Sequence, residues 1–280
     1  MVSAIDSALR STGRRAIDTA PWLEPSLSAA RTAYVKTILD TVAWRHRRQH
    51  TAPIDPYELL WVDPHDIEYV AAEFEGPKFQ RLGRVVDGDW DEPDIRFTET
   101  DIFQGFKNHF NRGVPWEETA FFERVAAGIE LGRTPWGCDS RQALSERCRR
   151  LDGLYERIDR EGYLSQPELL AADAGDDPMG AGRTDRLGRL IKDEISVDIG
   201  REGDLLFADG RNRLSIATLL GVDRVPALVL VRHDRWQRLR NRVAATGCRP
   251  DTLAEHPDLR RLVDTDADSA DRPRSIEPWL

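Results

Sequence analysis

Lysine is nearly missing from this chain of 280 residues, with 4 lysines against 36 arginines. Cysteine is also scarce: Cys138, Cys148 and Cys248 are far apart and odd in number, which excludes a disulfide framework and a C-x-x-C zinc pair. They are expected as free, buried thiols. No apolar run reaches the ~18–20 residues that cross a bilayer, and the opening MVSAIDSALRSTGRR has no charged-then-apolar signal pattern, so the expected location is the cytoplasm. No internal repeat is present.

What is abundant is negative charge. The net charge is −9, with 30 aspartates to 19 glutamates, and together with the shortage of lysine this profile resembles that of salt-adapted haloarchaeal proteins. A net-negative chain is repelled by phosphate backbones, and at molar salt the screening length falls to about 3 Å. The composition therefore argues against a general nucleic-acid binder. A 40% apolar content supports proper cores, and the length suggests about two domains.

Along the chain, the first ~25 residues, punctuated by Gly13, Pro21 and Pro25, are expected to be loose. Residues 26–50 read as a helix, with Leu27, Ala30, Tyr34, Ile38 and Val42 at helical spacing and a basic end at Arg45, His46, Arg47 and Arg48. That end suits the helix dipole, with peripheral membrane contact as the alternative. YELLWV and LGRVV are strand-like. Helices follow, capped by Thr98 or Thr100, opened by Pro115, and capped by Asp139 or Ser140, the last reaching Gly162 with a break expected at Gly153. SQPE at 165–168 has the form of a capping box, and the Gly- and Asp-rich 171–188 is expected to be a mobile loop or lid. Then the period changes: ISVDIG, REGD and LLFA read as strand, turn and strand, LSIATLLG as a helix closed by Gly221, VPALVLV as a buried strand, and DRWQRLRNRVAATG as an amphipathic helix. The tail from Asp264 is expected to be disordered apart from Trp279.

Between that second strand and its helix stands DGRNR, 209–213. A strand that passes through glycine into a helix exposes unpaired backbone N–H groups, a ready anion site. Gly210 permits close approach or positive φ, and Arg211 and Arg213 offer forked donors to phosphate oxygens. Two guanidinium groups at a positive helix end repel each other unless an anion or Asp209 offsets them. The expectation is a phosphate-holding turn; the bland alternative has Asp209 capping the helix and the arginines pairing with surface carboxylates.

The surroundings sharpen this. Ile158 and Gly162, Gln166 with Pro167, a two-stranded hairpin, Gly210 with Arg213, Ala217, and Val225 with Pro226 follow one another in an order that resembles the ParB/sulfiredoxin domain over about 80 residues. The resemblance implies a domain over 148–247 whose G-x-x-R turn binds nucleotide phosphates, with Gln166, Gly210, Arg211, Asn212 and Arg213 as its contacts. Sulfiredoxins carry cysteine after the glycine, where this chain has Arg211. ParB proteins carry a G-E-R-R turn and continue into a helix-turn-helix, which does not appear here. The serine kinases of that fold carry D-G-H-T-R, matched here by Asp209, Gly210 and Arg213 but not by Arg211 and Asn212.

The resemblance thus implies an ATP-dependent kinase acting on a small-molecule, lipid-linked or glycan-linked hydroxyl, with Mg²⁺ bridging phosphates. Asp209 is the expected metal contact or proton acceptor, and Glu156 is a second candidate base or else a solvated helix carboxylate. Arg232 and His233, at the carboxyl end of VPALVLV, are expected to line the same cleft as the turn. The alternatives are a non-enzymatic ParB-like nucleotide switch that contacts DNA or a protein partner, and a vestigial phosphate site. DGDWD at 87–91 fails the continuation of a calcium loop and reads as a turn with Trp90 buried. His109, between Phe106 and Phe110, reads as packed, and Glu117 and Glu118 as helix-start carboxylates. The fold expected is α+β, with a mainly helical 1–147, the nucleotide-binding 148–247, and a helix and acidic tail over 248–280.

Overall fold

The computed structural model describes residues 24–172, 189–263 and 273–279. The expectations for the loose amino terminus, for most of the 171–188 loop and for 264–272 of the tail lie outside the described residues. In chain order, α1 (Glu24–Gln49) leads to β1 (Leu59–Val62), β2 (Tyr69–Val70), α2 (Lys78–Arg81) and β3 (Arg84–Val86). Then come α3 (Asp101–Phe106), α4 (Ala120–Glu130), α5 (Arg141–Glu161) and α6 (Gln166–Ala171). The chain continues with β4 (Ile195–Ile199), β5 (Leu205–Asp209), α7 (Arg211–Leu220), β6 (Val225–His233), α8 (Asp234–Thr246) and α9 (Pro257–Val263).

The fold is α+β, built around a mixed six-stranded sheet in the order β1-β6-β4-β5-β2, with β3 also on β6. VPALVLVRH is its spine, buried along its whole length as an apolar, β-branched run requires. β4 and β3 run parallel to β6, β1 runs antiparallel to it, and β4 and β5 form the antiparallel hairpin. Alternation divides the side chains of β6. Val225, Ala227 and Val229 pack with Trp116, Phe121, Leu151 and Leu214 of the helices on one face. Leu228 and Leu230 pack with Val35, Leu39 and Phe79 on the other.

Local signals formed as their chemistry demands. Thr100, Thr119 and Ser140 cap α3, α4 and α5, Gly162 ends α5 at φ +80, and Ser165 with Glu168 makes a reciprocal capping box. Gly153 does not break α5, which runs through it, and of the three free thiols Cys138 and Cys148 are buried as expected while Cys248, just past the end of α8, is exposed.

Three expectations are corrected. The amino-terminal half is not a separate helical region: β1, β2 and β3 complete the sheet, and Phe97, Phe103 and Phe122 share one core with Ile195, Phe207 and Trp236. A boundary near 148 would cut through that core. The buried stripe of α1 is Val35, Leu39, Ala43 and His46, one position round from the expected one, with Tyr34, Ile38 and Val42 only half-buried beside it; the apolar face lies against the sheet. And the end of the tail is docked: Ile276 is fully buried, Leu59 donates to the Arg274 carbonyl at 2.9 Å, and Trp61 Nε1 donates to that of Pro273 at 3.0 Å.

Candidate functional site

The 209–213 turn begins with a distortion of the sheet. Ser196 pairs with Asp209 while Val197 pairs with Phe207, so Ala208 is an extra residue on β5. Such a bulge bends the strand and re-aims the side chain beyond it. Here that residue is Asp209, whose side chain is 50% exposed. Gly210 follows in the left-handed region, φ +92 and ψ +27, and is the N-cap of α7 with no side chain capping the helix. Its missing Cβ is required by the chain itself: a Cβ there would stand 2.8 Å from Ile195 Cα and 3.3 Å from the Glu194 carbonyl oxygen. The close approach permitted by glycine is therefore to strand β4.

The two arginines part company. Positions two apart on a helix are about 200° apart around its axis. Arg211 is exposed, whereas Arg213 is buried, with its guanidinium 5.6 Å from the Tyr163 ring centre. The expected pair of guanidinium groups on one phosphate is not made. The positive charge of Arg213 faces the buried Glu194 instead.

Glu194 and Lys78 were missed by sequence reasoning, and both stand at the turn. One Glu194 oxygen accepts the Gln166 backbone N–H at 2.8 Å. Burial pushes its carboxyl up to about 7, against the pull of Arg213, the Gln166 amide and Lys78. Lys78, from the short helix α2, places Nζ 3.0 Å from the Glu194 carbonyl oxygen, 3.2 Å from that of Lys192 and 3.1 Å from Asp209 Oδ2. A neutral amine has two N–H donors, so three acceptors call for the ammonium. Burial lowers its pKa and Asp209 works against that. Asp209 Oδ1 accepts the Gly210 N–H at 2.8 Å, which holds both carboxylate oxygens. Several buried polar atoms along this stretch have no hydrogen-bond partner among the described residues: Glu194 Oε1, Asn212 Oδ1, Ser215 Oγ, and Arg189 Nε and Nη2. Buried polar atoms are nearly always satisfied in native proteins, so this cluster is the unusual feature of the turn.

The remaining candidates lie elsewhere. Ile199 pairs with Arg232, and Ser196 with both Leu228 and Asp209, so Arg232 and His233 sit at the opposite end of the sheet from the turn, four residues or ~13 Å along β6. The expectation of a shared cleft is corrected: β5 runs antiparallel to β4 and β4 parallel to β6, which sends the carboxyl ends of β5 and β6 in opposite directions. Arg232 is buried in an ion cluster, donating to Asp258 at 2.9 and 3.0 Å. Burial alone would raise the Asp258 carboxyl, but Arg232 and Arg240 together hold it far below its ordinary range. His233 caps α8: Nδ1 accepts the Arg235 N–H at 3.0 Å, and Nε2 donates to the Gly88 carbonyl at 2.9 Å. Glu156 is exposed on α5, on the side away from the buried Leu151, Leu154 and Ile158. Gln166 is fully buried as the first residue of α6.

The 87–91 stretch is a turn, as expected, with Trp90 half-buried and stacked on His233; its Asp91 grips Arg201 of the β4–β5 hairpin through paired bonds of 2.9 and 2.6 Å. His109 is packed on Trp116, and both bond to Asp152. Among the described residues no group of three or more His, Cys, Asp or Glu could hold a metal, and no helix is long and apolar enough to cross a membrane. The chain matches no protein-family model, no curated protein and no solved structure.

Proposed function

We propose that the protein binds a phosphate-bearing ligand, a nucleotide such as ATP, at the 209–213 turn, as its resemblance to the ParB/sulfiredoxin domain implies. The observation that carries this reading is the start of α7: ten residues entered from a bulged strand through a left-handed glycine that supplies no capping side chain, and Arg211 exposed beside it. The N–H groups and the helix dipole favour an anion there, and Arg211 supplies a forked, permanently charged donor. Arg213 supports the turn from within. It is buried between Tyr163 and Glu194 and gives shape rather than contact.

Binding has more support than transfer. Phosphoryl transfer from ATP needs Mg²⁺ and a group to take the hydroxyl proton. Magnesium is held through one or two carboxylates together with phosphate oxygens. The residues present fit it poorly, because Lys78 and the Gly210 amide hold the two oxygens of the half-exposed Asp209, and Asp193, part-exposed, acts on the same Lys78. Glu156 faces away and His233 lies across the sheet. A nucleotide-dependent binding module is the better reading of this geometry. The kinase reading keeps one point in its favour, the half-exposed Asp209 aimed by the bulge.

A melting screen with ATP, ADP, CTP and GTP in molar KCl tests the proposal. A ligand at ~100 times its Kd adds about 2.7 kcal/mol, which should raise Tm by roughly 5 °C or more. Release of phosphate that stops in Asp209→Ala would favour the kinase reading; a flat screen for every nucleotide would sink both.

A further inference from the structure

The poor fit of magnesium has a positive counterpart. In sites that clamp polyphosphate through a carboxylate, a divalent cation screens the acid from the phosphates. Here the Asp209 carboxylate already has a cation, the Lys78 ammonium at 3.1 Å, delivered from α2 and only 9% exposed. Its remaining protons go to the carbonyl oxygens of Lys192 and Glu194, so the ammonium is pinned on three sides. Those acceptors ask for the compact three-donor geometry of lysine; a planar guanidinium fork does not supply it. This chain uses arginine nine times as often as lysine, 36 to 4, yet lysine stands at this buried position.

Resting on the reading of the turn as a phosphate site, we infer that Lys78 is a resident counter-ion and positioning residue that lets the site bind its phosphate ligand without a divalent metal. Lys78 cancels the charge of Asp209, which would otherwise repel an anion approaching the amides of α7, and it fixes that carboxylate on the Gly210 N–H. The same ammonium ties the 189–194 segment, through Lys192 and Glu194, to the mouth of the helix. The positive charge that faces phosphate is then that of Arg211 and the helix start, set against Asp193, which also acts on Lys78, with no metal required.

The test is titration calorimetry with ATP as the probe, on the full chain in molar KCl, once with excess Mg²⁺ and once with EDTA. For the native chain the two dissociation constants should agree within about twofold, less than 0.5 kcal/mol. Lys78→Met, which keeps the stem and removes the charge, should weaken metal-free binding by about tenfold or more, with Mg²⁺ restoring part of the loss. Adding Asp209→Asn to Lys78→Met should recover metal-free binding by removing the charge left bare, a rescue that a merely structural lysine would not show. If Lys78→Met does not fold, the native chain alone decides. Binding that appears only with Mg²⁺ overturns the inference and leaves the phosphate reading intact. ATP binding in neither buffer overturns both.

Discussion

Gly210 and Arg211 are neighbours with opposite kinds of importance. At Gly210 any side chain meets the backbone of Ile195 at 2.8 Å in a region, φ +92, that L-residues rarely adopt. Backbone cannot step aside as a flexible side chain can, so Gly210→Ala should cost on the order of 1–3 kcal/mol or more, read as a drop in the urea midpoint. An alanine variant as stable as the native chain would show that the turn adapts. Arg211 is exposed, and Arg211→Ala should leave stability within about 0.5 kcal/mol. Under the proposed function its effect falls on ligand binding instead. The G-x-x-R pattern in the sequence gives no hint of this division, since two residues of one type two positions apart look equivalent until the helix sends one inward and one outward.

At the scale of elements, β4 carries an anomaly that can be measured. Glu194, Ser196 and Asp198 are fully buried on or beside a central strand. Asp198 serves the backbone, because the register shifts between Val197 and Ile199 and its Oδ1 accepts the N–H of Val231 at 3.0 Å where the ladder slips. Burial raises its carboxyl to about 7, with Arg81 pulling the other way, and Glu194 is likewise raised to about 7. In the folded chain these groups keep protons that the unfolded chain releases near 3.8 and 4.5, so the stability they contribute at low pH is lost as pH rises to about 7. Glu194→Gln stays neutral throughout. Its stability relative to the native chain should therefore climb between pH 4.5 and about 7, by on the order of 1 kcal/mol or more, then level off. His46, lowered to about 4 by burial, acts in the opposite sense but is common to both chains. Parallel urea-midpoint profiles would contradict the assignment.

These elements also show what could be read in advance. Caps, capping box, hairpin and the α7 helix were legible because each is written in residues a few positions apart: Ser140, Ser165 with Glu168, Gly221. The bulge at Ala208 was not, because a register depends on the partner strand. Lys78 was not, because a four-residue helix gives no periodicity and its contacts lie far along the chain. Glu194 looked like one more acid in an acidic sequence.

For the whole molecule, the sheet ties distant segments together, and this sets what can be removed. A 148–280 fragment lacks β1, β2 and β3, exposes the edge of β6, and loses Phe97, Phe103 and Phe122 from the shared core. It should show no cooperative thermal transition, whereas a sharp one would restore the separate domain read from the sequence. The docked tail is part of the same unit. Ile276→Ala, at a fully buried site beside Tyr57 and Leu59, should cost about 2–5 kcal/mol by chemical denaturation. A cost near zero would mean that the tail does not dock. The surface of this acidic molecule, with its net charge of −9, discourages anions except where local donors overcome it, and the proposed site at the mouth of α7 depends on such donors.

The most direct measurement is a calorimetric titration of ATP into the native protein and into Arg211→Ala, in molar KCl. Saturable one-to-one binding is expected, about tenfold weaker in the variant while both unliganded proteins melt at the same temperature. Equal affinities, or no heat from either protein, would contradict it.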